Sequence, residues 1–256
     1  MKNQYFDTVV KKIWKYKNKI IEIEKIKTII KNILDTDYTE KKAYKMIYYL
    51  KNRGYIESIK KDILFIKDPE DTYTENELTE KFYREVVKRH CSDFLKSKRY
   101  IWWIKALELN MNNFSIPDEI LIVNNYKQAT EKAMNSKQVL FKTYESKTKN
   151  LFPLFYAQTK KIQIKNSPFM VANLELAILE TLYNQSIINK TYGEELIKKI
   201  IRKYHKQLNV KIREDFIKNN KHHSTINKLY KISQGIEPTL AEKIKTIIKK
   251  YSYFIA

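Results

Sequence analysis

Glycine and proline are scarce in this chain, with three and five residues among 256. That excludes a collagen-like or low-complexity chain. It also leaves no P-loop and no G-x-G-x-x-G run, so a phosphate cradle built from glycines is absent. The single cysteine, Cys91, allows neither an internal disulfide nor a thiolate zinc site, and it fits a reducing cytoplasm. No apolar run approaches the roughly 18 residues of a membrane span. Lys11, Lys12, Lys15, Lys17 and Lys19 interrupt the apolar residues that follow Met1-Lys2, so no signal peptide is expected. Carboxylates are short as well: 29 acidic against 50 basic residues give a net charge of +21.

Hydrophobic residues make up 43% of the chain, enough for one large core or two modest ones. Abundant Lys, Ile, Asn and Tyr with little Gly is what AT-rich coding produces. Such coding does not account for the missing carboxylates. The excess is uneven: about +9 over residues 1–67, about +2 over 68–184 and about +10 over 185–256. Two basic ends around a near-neutral middle point to a polyanionic partner, either nucleic acid or an acidic protein.

Residues 21–67 carry the clearest pattern. Asp37-Tyr38-Thr39-Glu40 offers a capping box, with Asp37 as the cap and Glu40 reaching back. Ala43, Met46, Ile47 and Leu50 then recur at helical spacing, and Arg53-Gly54 supplies a helix stop. Tyr55 to Ile59 and Ile63 to Lys67 read as a two-stranded ribbon with a polar tip at Lys60-Lys61-Asp62. Two amphipathic helices precede it, one on Phe6, Val9, Val10, Ile13 and Trp14, the other on Ile23, Ile26, Ile29 and Ile30. Three helices and a hairpin make a winged helix-turn-helix. On its third helix Lys41, Lys42, Lys45, Tyr48 and Asn52 face outward, groups that bind phosphates and reach base edges in a major groove. Lys60 and Lys61 suit a wing on the neighbouring backbone. A winged helix used only for protein contacts is the alternative.

The acidic stretch at 68–71 reads as a linker, which places the domain boundary near Asp71: a DNA-binding domain over 1–71 and a second domain over 72–256. Helices are expected over 77–96 and 100–109. Strands are expected over 120–123, 138–144, 161–165 and 169–172, the last entered by a turn at Asn166-Ser167-Pro168. Asn173 should cap a helix through Tyr183, and everything from Thr191 onward reads as helical, with Gly235 as a stop and a last helix after Pro238. The expected fold class is α+β: a winged helix followed by an α/β domain with a helical C-terminal part.

Several segments resemble the AbiEi-type antitoxins of abortive-infection, type IV toxin–antitoxin systems. Tyr100 to Leu109 is similar to that family's YxGGxSALxLHG helix. Ile116-Pro117 before Ile120 is similar to its proline-then-strand, and Phe169 to Glu180 to its VASPERALLD segment. The order covers nearly the whole chain. Trp102 and Trp103 stand where the family has glycines, and Leu174 and Leu176 where it has Pro and Arg. The resemblance implies a cytoplasmic, non-enzymatic DNA-binding antitoxin of phage defence. It would repress its own operon at inverted repeats in double-stranded DNA and neutralise a nucleotidyltransferase-type toxin. It does not imply direct contact with that toxin. No catalytic residue, metal or cofactor is expected. The basic helices around Lys198, Lys199, Arg202, Lys243 and Lys245 are candidates for the partner surface, with Leu196, Ile200, Ile244 and Ile248 facing inward.

Two other classes stay open. Pro117-Asp118 with Glu145-Ser146-Lys147 matches the loose PD…ExK pattern of Mg²⁺-dependent nucleases, in which the carboxylates hold the ion and the lysine steadies water or phosphate. Asp118 is equally suited to a turn before a buried strand. A plain winged-helix regulator with a ligand-sensing second domain is the third reading. His222-His223 lacks the i, i+4 spacing of helical metal ligands. Tyr100, Trp102 and Trp103 fit core packing better than base stacking.

Overall fold

The computed structural model describes residues 3–60, 62–94, 98–126, 128–134, 136–143, 151–165, 167–183, 190–209 and 223–251. It is a mixed α and β structure with two sheets. The chain divides into two compact units: Met1–Val86 with Ala133–Ser136, and Val87–Lys132 with Lys137–Ala256. The first unit therefore continues past Asp71, through the opening turns of a long helix.

In the first unit the elements follow in the order α1 (Asn3–Ile13), β1 (Ile20–Glu22), α2 (Ile23–Leu34), α3 (Glu40–Asn52), β2 (Ile56–Lys60) and β3 (Ile63–Ile66). The ribbon is a three-stranded antiparallel sheet of order β1-β3-β2, in which Ile20 pairs with Phe65 and Ile56 with Ile66. As the central strand, β3 is buried along its whole length. Val9, Ile13, Ile26, Ile30, Met46 and Leu50 meet beneath it and close one apolar core.

The cap of α3 is Thr39, not Asp37. A short 3₁₀ turn takes up Asp35–Asp37, so the first helical residue is Glu40, and the Thr39 hydroxyl accepts the Lys42 N–H at 3.2 Å. Glu40 turns sideways instead of back: its carboxylate accepts from Tyr38 Oη at 3.0 Å and meets Lys27 at 3.2 Å. Thr39→Ala should therefore cost about 1 kcal/mol of stability, and Asp37→Ala should cost clearly less. Urea denaturation of the two variants compares them directly, and the reverse order would restore Asp37 as the cap. At the other end Gly54 sits at φ 77°, with its N–H on the Lys51 carbonyl and the Tyr55 N–H on the Leu50 carbonyl. This paired closure places the left-handed residue where glycine carries no Cβ penalty.

The next helix, α4 (Glu75–Phe94), starts on a capping box that the sequence reading passed over. Thr74 Oγ1 accepts the Glu77 N–H, and Glu77 accepts from the Thr74 N–H at 2.7 Å. Its first turns lay Phe82 against Phe65, with ring centroids 4.8 Å apart.

The second unit is built on a six-stranded mixed sheet of order β6-β7-β5-β4-β9-β8. Its strands are β4 (Arg99–Ile101), β5 (Glu119–Asn124), β6 (Ala129–Lys132), β7 (Gln138–Thr143), β8 (Thr159–Ile164) and β9 (Ser167–Ala172). Between them come α5 (Trp103–Asn110) and α6 (Phe152–Ala157), and after them α7 (Leu174–Tyr183), α8 (Lys190–Tyr204), α9 (His223–Gln234) and α10 (Pro238–Lys250). The expected helix over 100–109 is corrected: Tyr100 and Ile101 are strand, paired with Val123 and Ile122, and the helix begins only at Trp103. Trp103 makes that turn at φ 65°.

Helix α7 is buried from Glu175 to Leu182, so it is the central helix of this unit and not an amphipathic one. Its two buried carboxylates find partners inside. Asn173 Oδ1 caps it by accepting the Leu176 N–H, Glu175 accepts the Asn209 N–H, and Glu180 accepts Tyr100 Oη at 2.7 Å.

Candidate nucleic-acid interface

The outward face of α3 assembles most of the expected contact groups. Ala43, Met46, Ile47 and Leu50 fix the inward stripe, which leaves Lys41, Lys42, Lys45, Tyr48 and Asn52 exposed. Lys42 is partly committed, since its ammonium donates to the Asp37 carbonyl at 2.8 Å. Lys45 lies 5.9 Å from the Tyr49 ring centroid. Tyr48 is 59% exposed, and Tyr44, which the sequence reading did not include, is 52% exposed on the same side. Two large, half-exposed rings among lysines make a face suited to both phosphates and base edges.

The orientation of this face is fixed by a residue that sequence reasoning missed. Lys27, on the otherwise apolar side of α2, is only 8% exposed. Its ammonium meets Glu24 at 2.9 Å, Glu40 at 3.2 Å and the Tyr44 ring at 4.4 Å from the centroid. Its hydrogen bond to Glu24, then that to Tyr44, holds the ammonium pKa well above the ordinary lysine value. Glu40 is held below the usual carboxylate range, first by Tyr38 and then by Lys27. The only sequence signal was a lysine on an isoleucine stripe.

Lys60 ends β2, half-buried, beside a register shift between Ser58 and Lys60. Its expected companion Lys61 lies outside the described residues. In the second unit Leu196, Ile200, Ile244 and Ile248 are buried as expected. The five cations divide. Lys198 is held by Glu194 at 3.1 Å and Glu195 at 2.9 Å, and Lys245 by Glu242 at 3.2 Å. Lys199, Arg202 and Lys243 are exposed.

Asp118 meets Lys137 at 2.6 Å, and its side chain is 85% exposed before β5, the geometry of a strand-entry residue. Glu145, Lys147 and His222 lie outside the described residues, as does the side chain of His223. Among the described residues no cluster of three His, Cys, Asp or Glu could hold a metal ion, and no helix is long and apolar enough to cross a membrane. Tyr100 and Trp103 are buried in the second unit and do not form a stacking surface. Comparison with protein-family models and with curated proteins returns no match.

Proposed function

We propose that the first unit is a winged helix that binds duplex DNA through α3, and that the chain is a non-enzymatic repressor and antitoxin of the abortive-infection type. The exposed face of α3 carries the reading. The element order supports it: two helices, α2 and α3, are followed by a hairpin, β2-β3, whose β3 strand also pairs with β1, and the outward face of α3 stays exposed. The antitoxin half rests on the family resemblance. Trp103 adds to it, because it holds φ 65° where the family motif has glycine, in a backbone region that bulky residues rarely adopt. Its partners would be operator DNA with inverted repeats and a nucleotidyltransferase-type toxin.

Binding of the purified chain to DNA from upstream of its own coding sequence tests the first half. Affinity for that duplex should exceed affinity for unrelated duplex by roughly a thousandfold or more. Equal affinity for both would reject the repressor reading. Co-expression with the toxin encoded beside it should restore growth, and unrestored growth would reject the antitoxin reading. With Mg²⁺ no cleavage of duplex DNA is expected; cutting that Glu145→Ala abolishes would make the chain a nuclease.

A further inference from the structure

The second unit contains a pocket of about 400 Å³ that the DNA-binding reading does not use. Lys88 and Cys91 of α4, Lys98 and Arg99 at the start of β4, Ile122 of β5, Tyr156 of α6 and Met170 of β9 are among the residues that line it. Its size falls within the roughly 300–1,000 Å³ of small-molecule sites. Three of its lining residues are cations, and none of the described residues lining it is a carboxylate.

The remaining wall is apolar and aromatic. Tyr156 stacks on Phe152 at 5.9 Å between centroids, and Phe152 on Tyr100 at 6.2 Å, so the ring is backed by the core. Lys98 Nζ lies 5.3 Å from the Tyr156 centroid, which orders an otherwise exposed side chain at the pocket edge. Burial pushes the Cys91 thiol up to about 12, with Arg99 offsetting part of that, so it adds no negative charge at neutral pH.

The geometry points to a binding site for a nucleoside monophosphate, its phosphate among Lys88, Lys98 and Arg99 and its base on the apolar wall beside Tyr156. A phosphate monoester carries about −1.5 to −2 charges at pH 7, a match for the two exposed lysines. Inorganic phosphate alone would leave the apolar wall unfilled. A sugar phosphate would press hydroxyls onto that wall, and a fatty acid would offer one charge to two lysines. The same chemistry is present at the 5′-phosphorylated end of a strand, so the source is either a free nucleotide or a chain terminus.

Equilibrium dialysis of the full-length chain, without DNA present, tests this directly and independently of operator recognition. AMP, GMP, CMP and UMP serve as probes, with adenosine and inorganic phosphate beside them. At least one nucleotide should bind saturably at one site per chain. Adenosine and phosphate should each bind weaker by on the order of tenfold or more, as should the nucleotide to Lys88→Ala/Lys98→Ala, since each loses charge-assisted bonds or the apolar contact. Both lysines are exposed, so that variant should fold. Lys249→Ala/Lys250→Ala removes equal charge elsewhere and should leave binding unchanged. A 5′-phosphorylated tetranucleotide that outcompetes the mononucleotide identifies the strand end; the reverse order identifies the free nucleotide. Absence of saturable binding by all four nucleotides overturns the site. So does binding that Lys88→Ala/Lys98→Ala leaves intact, or that Lys249→Ala/Lys250→Ala weakens equally.

Discussion

Lys41→Ala combined with Lys45→Ala should weaken operator binding on the order of 30-fold near 0.15 M salt, because each phosphate contact contributes about 0.9 to the slope of log affinity against log salt. Two lost contacts should therefore lower that slope by about 1.8. Both lysines are exposed on α3, away from the stripe of Ala43, Met46, Ile47 and Leu50, so the fold should be untouched. Tyr48→Ala should behave differently. It removes a 59% exposed ring with no formal charge, so the salt slope should hold while discrimination between operator and unrelated duplex falls. Fluorescence anisotropy at four salt concentrations separates the two effects. The net charge of +21 supplies the rival explanation, binding by the whole basic surface. Lys199→Ala with Lys243→Ala tests it, since both are exposed cations of the second unit. If that pair lowers the slope as much as the α3 pair does, recognition is not carried by α3.

The α3 segment was readable because three signals coincided: an apolar stripe of helical period, a glycine at the left-handed closure, and an alternating ribbon after it. What escaped was short or competitive. Strand β1 has three residues, too few for a period, and exists because β3 offers it a partner from Ile63 to Phe65. Asp37 and Thr39 are both competent caps, and the 3₁₀ turn at Asp35–Asp37 decides between them. Tyr100-Ile101-Trp102-Trp103 is an apolar run in which strand and helix look alike. The break falls at Trp103, whose φ of 65° no glycine announces. Lys27 was hidden because its charge is answered by Glu24 and Glu40, one of them on another helix. The pocket of the second unit joins residues from five separated elements and leaves no local pattern at all.

Glu108→Ala should destabilise the second unit by about 3–5 kcal/mol, the cost of stranding the partner of a buried ion pair. Lys105 and Glu108 lie one turn apart on α5, with side chains 8% and 11% exposed, and their charged atoms meet at 2.7 Å. Tyr192 Oη donates to the other oxygen of the Glu108 carboxylate at 2.6 Å, which ties α8 to α5. Among the described residues the ammonium without Glu108 keeps the Ser115 hydroxyl at 3.3 Å and the Asn113 carbonyl at 3.4 Å, too long to replace a carboxylate. Lys105→Met with Glu108→Leu should lose far less, because exchanging the whole pair for apolar groups strands no charge. The same carboxylate raises the Tyr192 phenol to about 12, through the hydrogen bond first and burial second. A raised folded pKa means the protonated phenol favours the fold. Its contribution is complete below the unfolded value of about 10 and is lost as pH climbs toward about 12. Chemical denaturation of the parent and of Tyr192→Phe should therefore converge over that interval. A Glu108→Ala loss below about 1 kcal/mol, at the level of an exposed pair, would mean that solvent reaches Lys105 and that the cluster contributes little to the fold.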